Sequence, residues 1–386
     1  MSLPNPLSFG STVSKARTFA GCGRIAFAAV VYLTGSIPLS AMCGEMPFPN
    51  GSFEDGALGS VGAPGTFGID STSVPGWRIF AVEGASGRFS VSSTTPASQG
   101  KNVLIVERAA GGAGDTAADT AVPVEVESGR VYKVLADVKA IQAPPEGGET
   151  WATVSARLFG AQSYRERSFV FQPTPAYETA GAAIFAEPGF SLLTARLDTA
   201  GKSGQAGFDN VRYEDVTTEG DRMINGGFEN STTRLIGWRY GSADGGEGSA
   251  ALIQGEGVGG SGACLFSRSN SVGDVVLDLG ESSQRVPVRP EESLALDFDA
   301  KRSGENDACK LRISVMEYDS NGEHLLDTSF LFDPERDGFS HFHEEYTPVA
   351  GAAFFDLSFR IFEPNCGAQA VGSFYLDNIS VKGIPK

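Results

Sequence analysis

Positive charge is what this sequence is shortest of. Thirty Lys and Arg stand against 47 Asp and Glu, a formal net charge of −17. Nucleic-acid binding needs clustered cations against phosphate, so no nucleic acid is expected as a partner. Anionic membranes and polyanionic ligands are disfavoured wherever a local basic patch does not override the global field. A neutral ligand is the easier partner. Helical periodicity is missing along almost the whole chain. No nucleophile elbow, zinc-hydrolase spacing, phosphate loop or dinucleotide fingerprint occurs, so no catalytic residue is assigned and no enzyme is expected. Paired carboxylates decide nothing without geometry when 47 acids are present.

Long apolar runs are absent too. The longest begins at Ile25 and ends at Leu39, broken by Thr34, Gly35, Ser36 and Pro38. A membrane span needs about 20 residues, so no stable membrane insertion is expected. The first 44 residues hold no acid, and their cations are Lys15, Arg17 and Arg24. A basic start, a short apolar stretch and small residues at Ser40 and Ala41 read as a secretory signal peptide over residues 1–44, cleaved between Ala41 and Gly44. The mature protein is then secreted or on the cell surface, where disulfides persist. Cysteine is scarce: five residues, of which Cys264, Cys309 and Cys366 fall in the second half. Cys309–Cys366 is the favoured pair, with three free or buried thiols as the alternative.

What is present is present twice. Asn50-Gly51-Ser52-Phe53-Glu54 is followed by Gly76-Trp77 and then Phe208-Asp209-Asn210-Val211. Asn225-Gly226-Gly227-Phe228-Glu229 is followed by Gly237-Trp238 and Leu376-Asp377-Asn378-Ile379. Unequal spacing between fixed landmarks marks duplicated domains with loop insertions, each near ~170 residues and large enough for its own core. The expected division is residues 45–216 and 217–386, joined by a short linker around Thr217-Thr218-Glu219-Gly220.

Between the landmarks the runs alternate with period two. Tyr132, Val134, Ala136 and Val138 share one face, as do Leu294, Leu296 and Phe298. Many short alternating strands separated by Gly, Pro and Asn clusters predict an all-β fold of two tandem antiparallel β-sandwiches. The terminal strands of each are expected side by side.

The ordered trio of motifs resembles the carbohydrate-binding modules of secreted cellulases and xylanases, jelly-roll sandwiches of the galactose-binding-like group. The resemblance covers residues 46–216 and 221–384, closely at the ends and in strand pattern only between them. It implies a polysaccharide or surface glycan as partner, and a structural calcium (Ca2+) shared by acids at the two ends of each domain. The residues carried over are Glu54 with Asp209, and Glu229 with Asp377. Calcium wants several oxygens. The competing reading is that these acids cap turns through backbone N–H groups.

Trp77 and Trp238 are expected in the core, not as sugar platforms. The ligand face is sought on the outward sides of strands. Trp151, Thr153, Ser155, Arg157 and Phe159 share one side of a run, and Lys310, Arg312, Ser314, Met316 and Tyr318 share one side of another. Arg196 and Arg360 project from a third pair of runs. The candidate ligand-binding residues are therefore Trp151, Arg157, Phe159, Arg196, Arg312, Tyr318 and Arg360, with Arg157 and Arg312 read as equivalent. His341 and His343, two apart on a strand, could hold a metal, against an ordinary exposed face as the default. The function expected is a secreted, non-catalytic, carbohydrate-binding protein. The rival is a structural or adhesive surface protein without a sugar site.

Overall fold

Four antiparallel sheets in face-to-face pairs account for nearly all regular structure. The computed structural model describes residues 45–384, except 57, 62–67, 71–72, 82–86, 110–115, 144–148, 201–202, 219, 280–283, 305–308 and 363–370. The expected leader over residues 1–44 lies outside the described residues, as does Cys366. Among the described residues Val258–Gly260 forms a 3-10 turn, and no helix is long and apolar enough to cross a membrane.

The front sheet of the first sandwich runs Gly68–Asp70, Trp77–Ala81, Thr116–Thr120, Phe190–Asp198, Ala152–Gly160, Tyr164–Phe171. Its back sheet runs Gly59–Val61, Gly87–Ser92, Val103–Arg108, Gly204–Asp215, Val131–Gln142, Glu178–Phe185. In the second sandwich the front sheet is Arg239–Ala243, Asp274–Asp278, Phe354–Ile361, Leu311–Tyr318, His324–Phe332. The back sheet there is Gly248–Ile253, Ala263–Arg268, Gly372–Ile384, Ser293–Ser303, Ser340–Tyr346. Five strands of each sheet recur in the same order, so the duplication holds at the level of topology.

Alternation places the cores where the period-two pattern puts them. Ala152, Val154, Ala156 and Leu158 are fully buried between the first pair of sheets, as are Leu311 and Ile313 between the second. Each such side chain contributes roughly 1.5–3 kcal/mol by leaving water. Cys264 is a free, buried thiol, and Cys309 is disulfide-bonded.

The repeated motifs are one device built twice. Gly51 packs so closely on the closing strand that a Cβ there would collide with the Val211 carbonyl, and one on Gly226 with the Ile379 carbonyl. Backbone bonds tie the same points, Val211 N–H to Gly51 O (2.9 Å) and Ile379 N–H to Gly226 O (3.0 Å). The indole N–H of Trp77 donates to Asn50 O at 3.0 Å, and that of Trp238 to Asn225 O at 2.8 Å. Each indole is buried against the phenylalanine of the opening motif, with ring centroids 5.1 and 5.7 Å apart. The glycine before each tryptophan takes φ of +84° and +81°, a region costly for other residues. Asn210 and Asn378, at φ +47° and +49°, sit where each closing strand bulges, a conformation Asn tolerates best after Gly. In the first sandwich Met46–Pro47 pairs with Gly204–Asp215, so its terminal strands lie side by side.

The two sandwiches belong to one compact unit. Glu178 of the first, 1% exposed, takes a two-pronged bond from Arg234 of the second (2.7 Å each) and another from Ser231 (2.8 Å). Thr179 N–H donates to Asn230 O, and Gln284 Nε2 donates to Gly181 O. Ile236 is buried within the first core. At the linker, Arg222 is fully buried and all its nitrogens donate. Glu292 accepts two bonds at 2.6 and 2.8 Å, and Val216 O, Thr217 O and Pro287 O take the rest.

Truncating one partner of a buried pair leaves the other uncompensated, which costs about 3–5 kcal/mol, whereas replacing both with apolar residues costs far less. Arg222→Met is expected to lower stability by about 3 kcal/mol in denaturant unfolding, and Arg222→Met with Glu292→Leu is expected to regain only part of it, because Val216 O, Thr217 O and Pro287 O lose their donor in both variants.

Candidate outer-face binding sites

The front sheets carry side chains on their outer faces that neither core uses. In the first sandwich one row across the sheet reads Arg78, Asp119, Arg196, Ser155, Ser168. The matching row in the second reads Arg239, Asp278, Ser358, Ser314, Ser329. Both start from the residue after the buried tryptophan, so the rows are equivalent. Among the candidate residues, Arg157, Phe159 and Arg196 come together on the first face, with Trp151 half-buried at its edge just before the strand. Arg312, Arg360 and Tyr318 share the second face.

Charge on the first face is internally paired. Arg157 reaches Asp119 at 3.2 Å and Glu166 at 3.3 Å, Arg78 reaches Asp119 at 3.4 Å, and Arg196 reaches Asp198 at 3.4 Å. The Arg157 guanidinium lies over Phe159 and Tyr164, whose rings stack with centroids 6.0 Å apart. Beside it, Thr153 Oγ1, Thr194 Oγ1 and Asp119 Oδ1 are buried without a hydrogen-bond partner among the described residues. Buried polar atoms normally find partners in protein or ordered water, so these three have hydrogen-bonding capacity that no protein group on this face uses.

Three residues of these faces were missed by sequence reading: Arg78, Arg239 and Tyr164. The arginine after each Gly-Trp was the available signal. Tyr164 had none, because only strand pairing brings it beside Phe159.

Register corrects one equivalence. Ser155 and Ser314 occupy matching places, so Arg157 matches Met316 and Arg312 matches Thr153. A shift of two residues keeps every side chain on its face, which makes it invisible to alternation. Tyr318 is no open platform either. The Arg285 guanidinium sits 3.4 Å from its ring centre, and its cross-strand neighbour Phe354 lies under Arg167 of the first sandwich.

The acids of the doubled motifs do meet at one place in each sandwich. Asp209 Oδ2 accepts Ser98 N–H (2.7 Å) and Gln99 N–H (2.8 Å), and Glu54 Oε1 accepts Lys101 N–H (2.7 Å) and Asn102 N–H (2.9 Å). Asp377 Oδ2 accepts Val258 N–H (2.8 Å) and Ser261 Oγ (2.9 Å), and Glu229 Oε1 accepts Gly262 N–H (2.5 Å). Burial pushes the Asp209 and Asp377 carboxyls above their ordinary value, and these N–H bonds pull them back. Each loop thus presents amide hydrogens to its two carboxylates, the opposite of the oxygen set a cation requires. Among the described residues no group of three or more His, Cys, Asp or Glu could hold a metal. These bonds are those of the turn-capping alternative.

His341 and His343 lie on the back sheet, exposed, each bonded to the aspartate across the strand pair: Asp299 at 3.0 Å and Asp297 at 2.7 Å. The Asp297 bond raises the His343 pKa. A separate hollow of about 540 Å³ opens on this sheet beside the Gly255–Gly259 loop, where Lys301 lies over Phe339 and Tyr375.

No family model and no curated protein matches the chain. Solved structures do. The tandem CBM22-1–CBM22-2 domain of Paenibacillus barcinonensis Xyn10C is 14% identical at a TM-score of 0.30, over 89% of this chain and 99% of its own. A family 11 carbohydrate-binding module from Clostridium thermocellum, in complex with a β-1,3-1,4-mixed-linked tetrasaccharide, is 16% identical at 0.29, over 39% and 92%. The enzymatically active domain of bacteriophage CBA120 tailspike protein 4 is 15% identical at 0.34, over 42% and 21%. The assignment of two antiparallel sandwiches rests on the strand order and register above.

Two outcomes follow. If the acids hold loops and not a cation, a chelator leaves the melting temperature unchanged in calcium-containing buffer, while Asp377→Ala lowers stability by about 1–3 kcal/mol, the cost of orphaned buried donors. The second concerns Asp356, whose pKa is pushed up to about 6 by burial first and then by neighbouring Asp278, with Arg285 opposing. A carboxyl raised in the folded state stabilises fully below its unfolded pKa near 3.8, and that contribution is lost as pH rises through about 6. Asp356→Asn should therefore flatten the fall in stability across that window, read as melting temperature against pH.

Proposed function

We propose that this is a secreted, non-catalytic carbohydrate-binding protein whose glycan contacts lie on the outer faces of the front sheets. The observation that carries the reading is the first face itself. Two aromatic rings stand beside a guanidinium and three buried polar atoms with no partner among the described residues. A sugar ring offers an apolar face to the aromatics and hydroxyls to the polar groups, which is the complement such a surface needs. The doubled motifs support the reading through their resemblance to carbohydrate-binding modules. The basic, apolar leader supports export. The sequence carries no nucleophile elbow, zinc-hydrolase spacing, phosphate loop or dinucleotide fingerprint, and we read the faces as recruiting a glycan, not turning it over.

Glycan-array binding of the mature chain tests this directly. Binding is expected, and Tyr164→Ala should weaken a ligand held on the first face by about tenfold, from roughly 1.5 kcal/mol of lost ring contact. A well-folded sample that binds no glycan would leave the adhesive or structural reading in its place.

A further inference from the structure

The two front faces differ most at one end. On the second face Arg312 and Arg360 are direct cross-strand neighbours. No described carboxylate forms an ion pair with either. Their bonds go to neutral groups: Arg312 Nη2 to Ser329 Oγ at 2.9 Å, and Arg360 Nε to Ser358 Oγ at 3.3 Å. Arg312 Nε is buried without a partner. The Arg312 guanidinium lies 5.1 Å from the centre of the Phe362 ring, and Lys310 is exposed two residues back along the chain. The first sandwich has nothing like this, because register puts Thr153 and Asp198 at the matching places, and Asp198 is paired with Arg196.

Like charges directly opposite on an antiparallel pair are destabilising. Two unneutralised arginines side by side are stranger still in a chain of net charge −17. A planar, forked guanidinium matches a planar carboxylate through two parallel bonds. The Phe362 ring beside it offers an apolar flank to a sugar. We infer that this patch binds the carboxylate of a uronic acid unit, so that the second sandwich takes an acidic glycan. The inference rests on the reading of the front sheets as glycan-binding faces. The patch is also the local basic surface needed to overcome the acidic field of the whole chain.

The test uses the mature chain with polygalacturonate, glucuronoxylan and alginate, each beside its carboxyl-reduced form, with dextran sulfate and a neutral glucan as controls. At least one acidic polymer should bind about tenfold more tightly than its reduced form, the scale of a charge-assisted bond. Arg312→Gln with Arg360→Gln should abolish that difference without lowering the melting temperature. If the double variant does not fold, Arg360→Lys, which keeps the charge and loses the fork, should weaken the acidic polymer alone. Equal binding of acidic and reduced forms overturns the inference and leaves the glycan reading standing. So does binding of the neutral glucan alone, or binding of dextran sulfate as tight as that of any uronate. Failure to bind any polymer, with a folded sample, removes the glycan reading itself.

Discussion

The close approach of the opening turn to the closing strand is the contact on which each sandwich depends. Gly51 and Gly226 leave room for a carbonyl where any side chain would collide. That approach brings the preceding asparagine carbonyl within reach of the buried indole N–H. The tryptophan is then held as a core anchor next to the opening phenylalanine, and the residue after it emerges on the front face as Arg78 or Arg239. On the other side, the bulge at Asp-Asn turns a carboxylate toward the loop ahead of the next back-sheet strand. One steric tolerance thus closes the sandwich, seats its largest side chain and fastens a loop.

Because that scaffold is duplicated, what varies is confined to surfaces it does not need. The Glu178–Phe185 strand of the first sandwich is an edge strand, and the second sandwich supplies the partners its buried Glu178 requires. The contact zone extends to Arg167 and Arg285, and with them to one end of the second front face. Tyr318 is drawn into that zone, while Arg312 and Arg360 lie at the opposite end. The first face balances its arginines with aspartate and glutamate; the second leaves two without a carboxylate. A common frame with different charge arrangements is how duplicated modules can divide ligands of different charge between them.

Much of this was legible in the chain. Alternation separated Val154 and Leu158 from Ser155 and Arg157, and Ile313 from Arg312, since a strand offers only two faces. The buried tryptophans could be read from their fixed Gly-Trp setting. Register could not be read. Arg157 and Arg312 looked equivalent because a slip of two residues costs nothing in pattern, and only hydrogen-bonded neighbours distinguish them. Tyr164 gave no sign, since its stacking on Phe159 exists only across a strand pair. The acids of the doubled motif suggested calcium because carboxylates suit cations and amides alike. That loop N–H groups turn toward them is a matter of tertiary structure, which the motif does not carry.

The sequence by itself determined the all-β class, the duplication and the split of each strand into a core side and an outer side, because these follow from local period and from motifs that recur whole. Which outer residues become neighbours, which charges are cancelled and which aromatic faces stay open were settled only in the tertiary structure. Those depend on partners far apart along the chain, brought together by register and by the packing of one sandwich on the other.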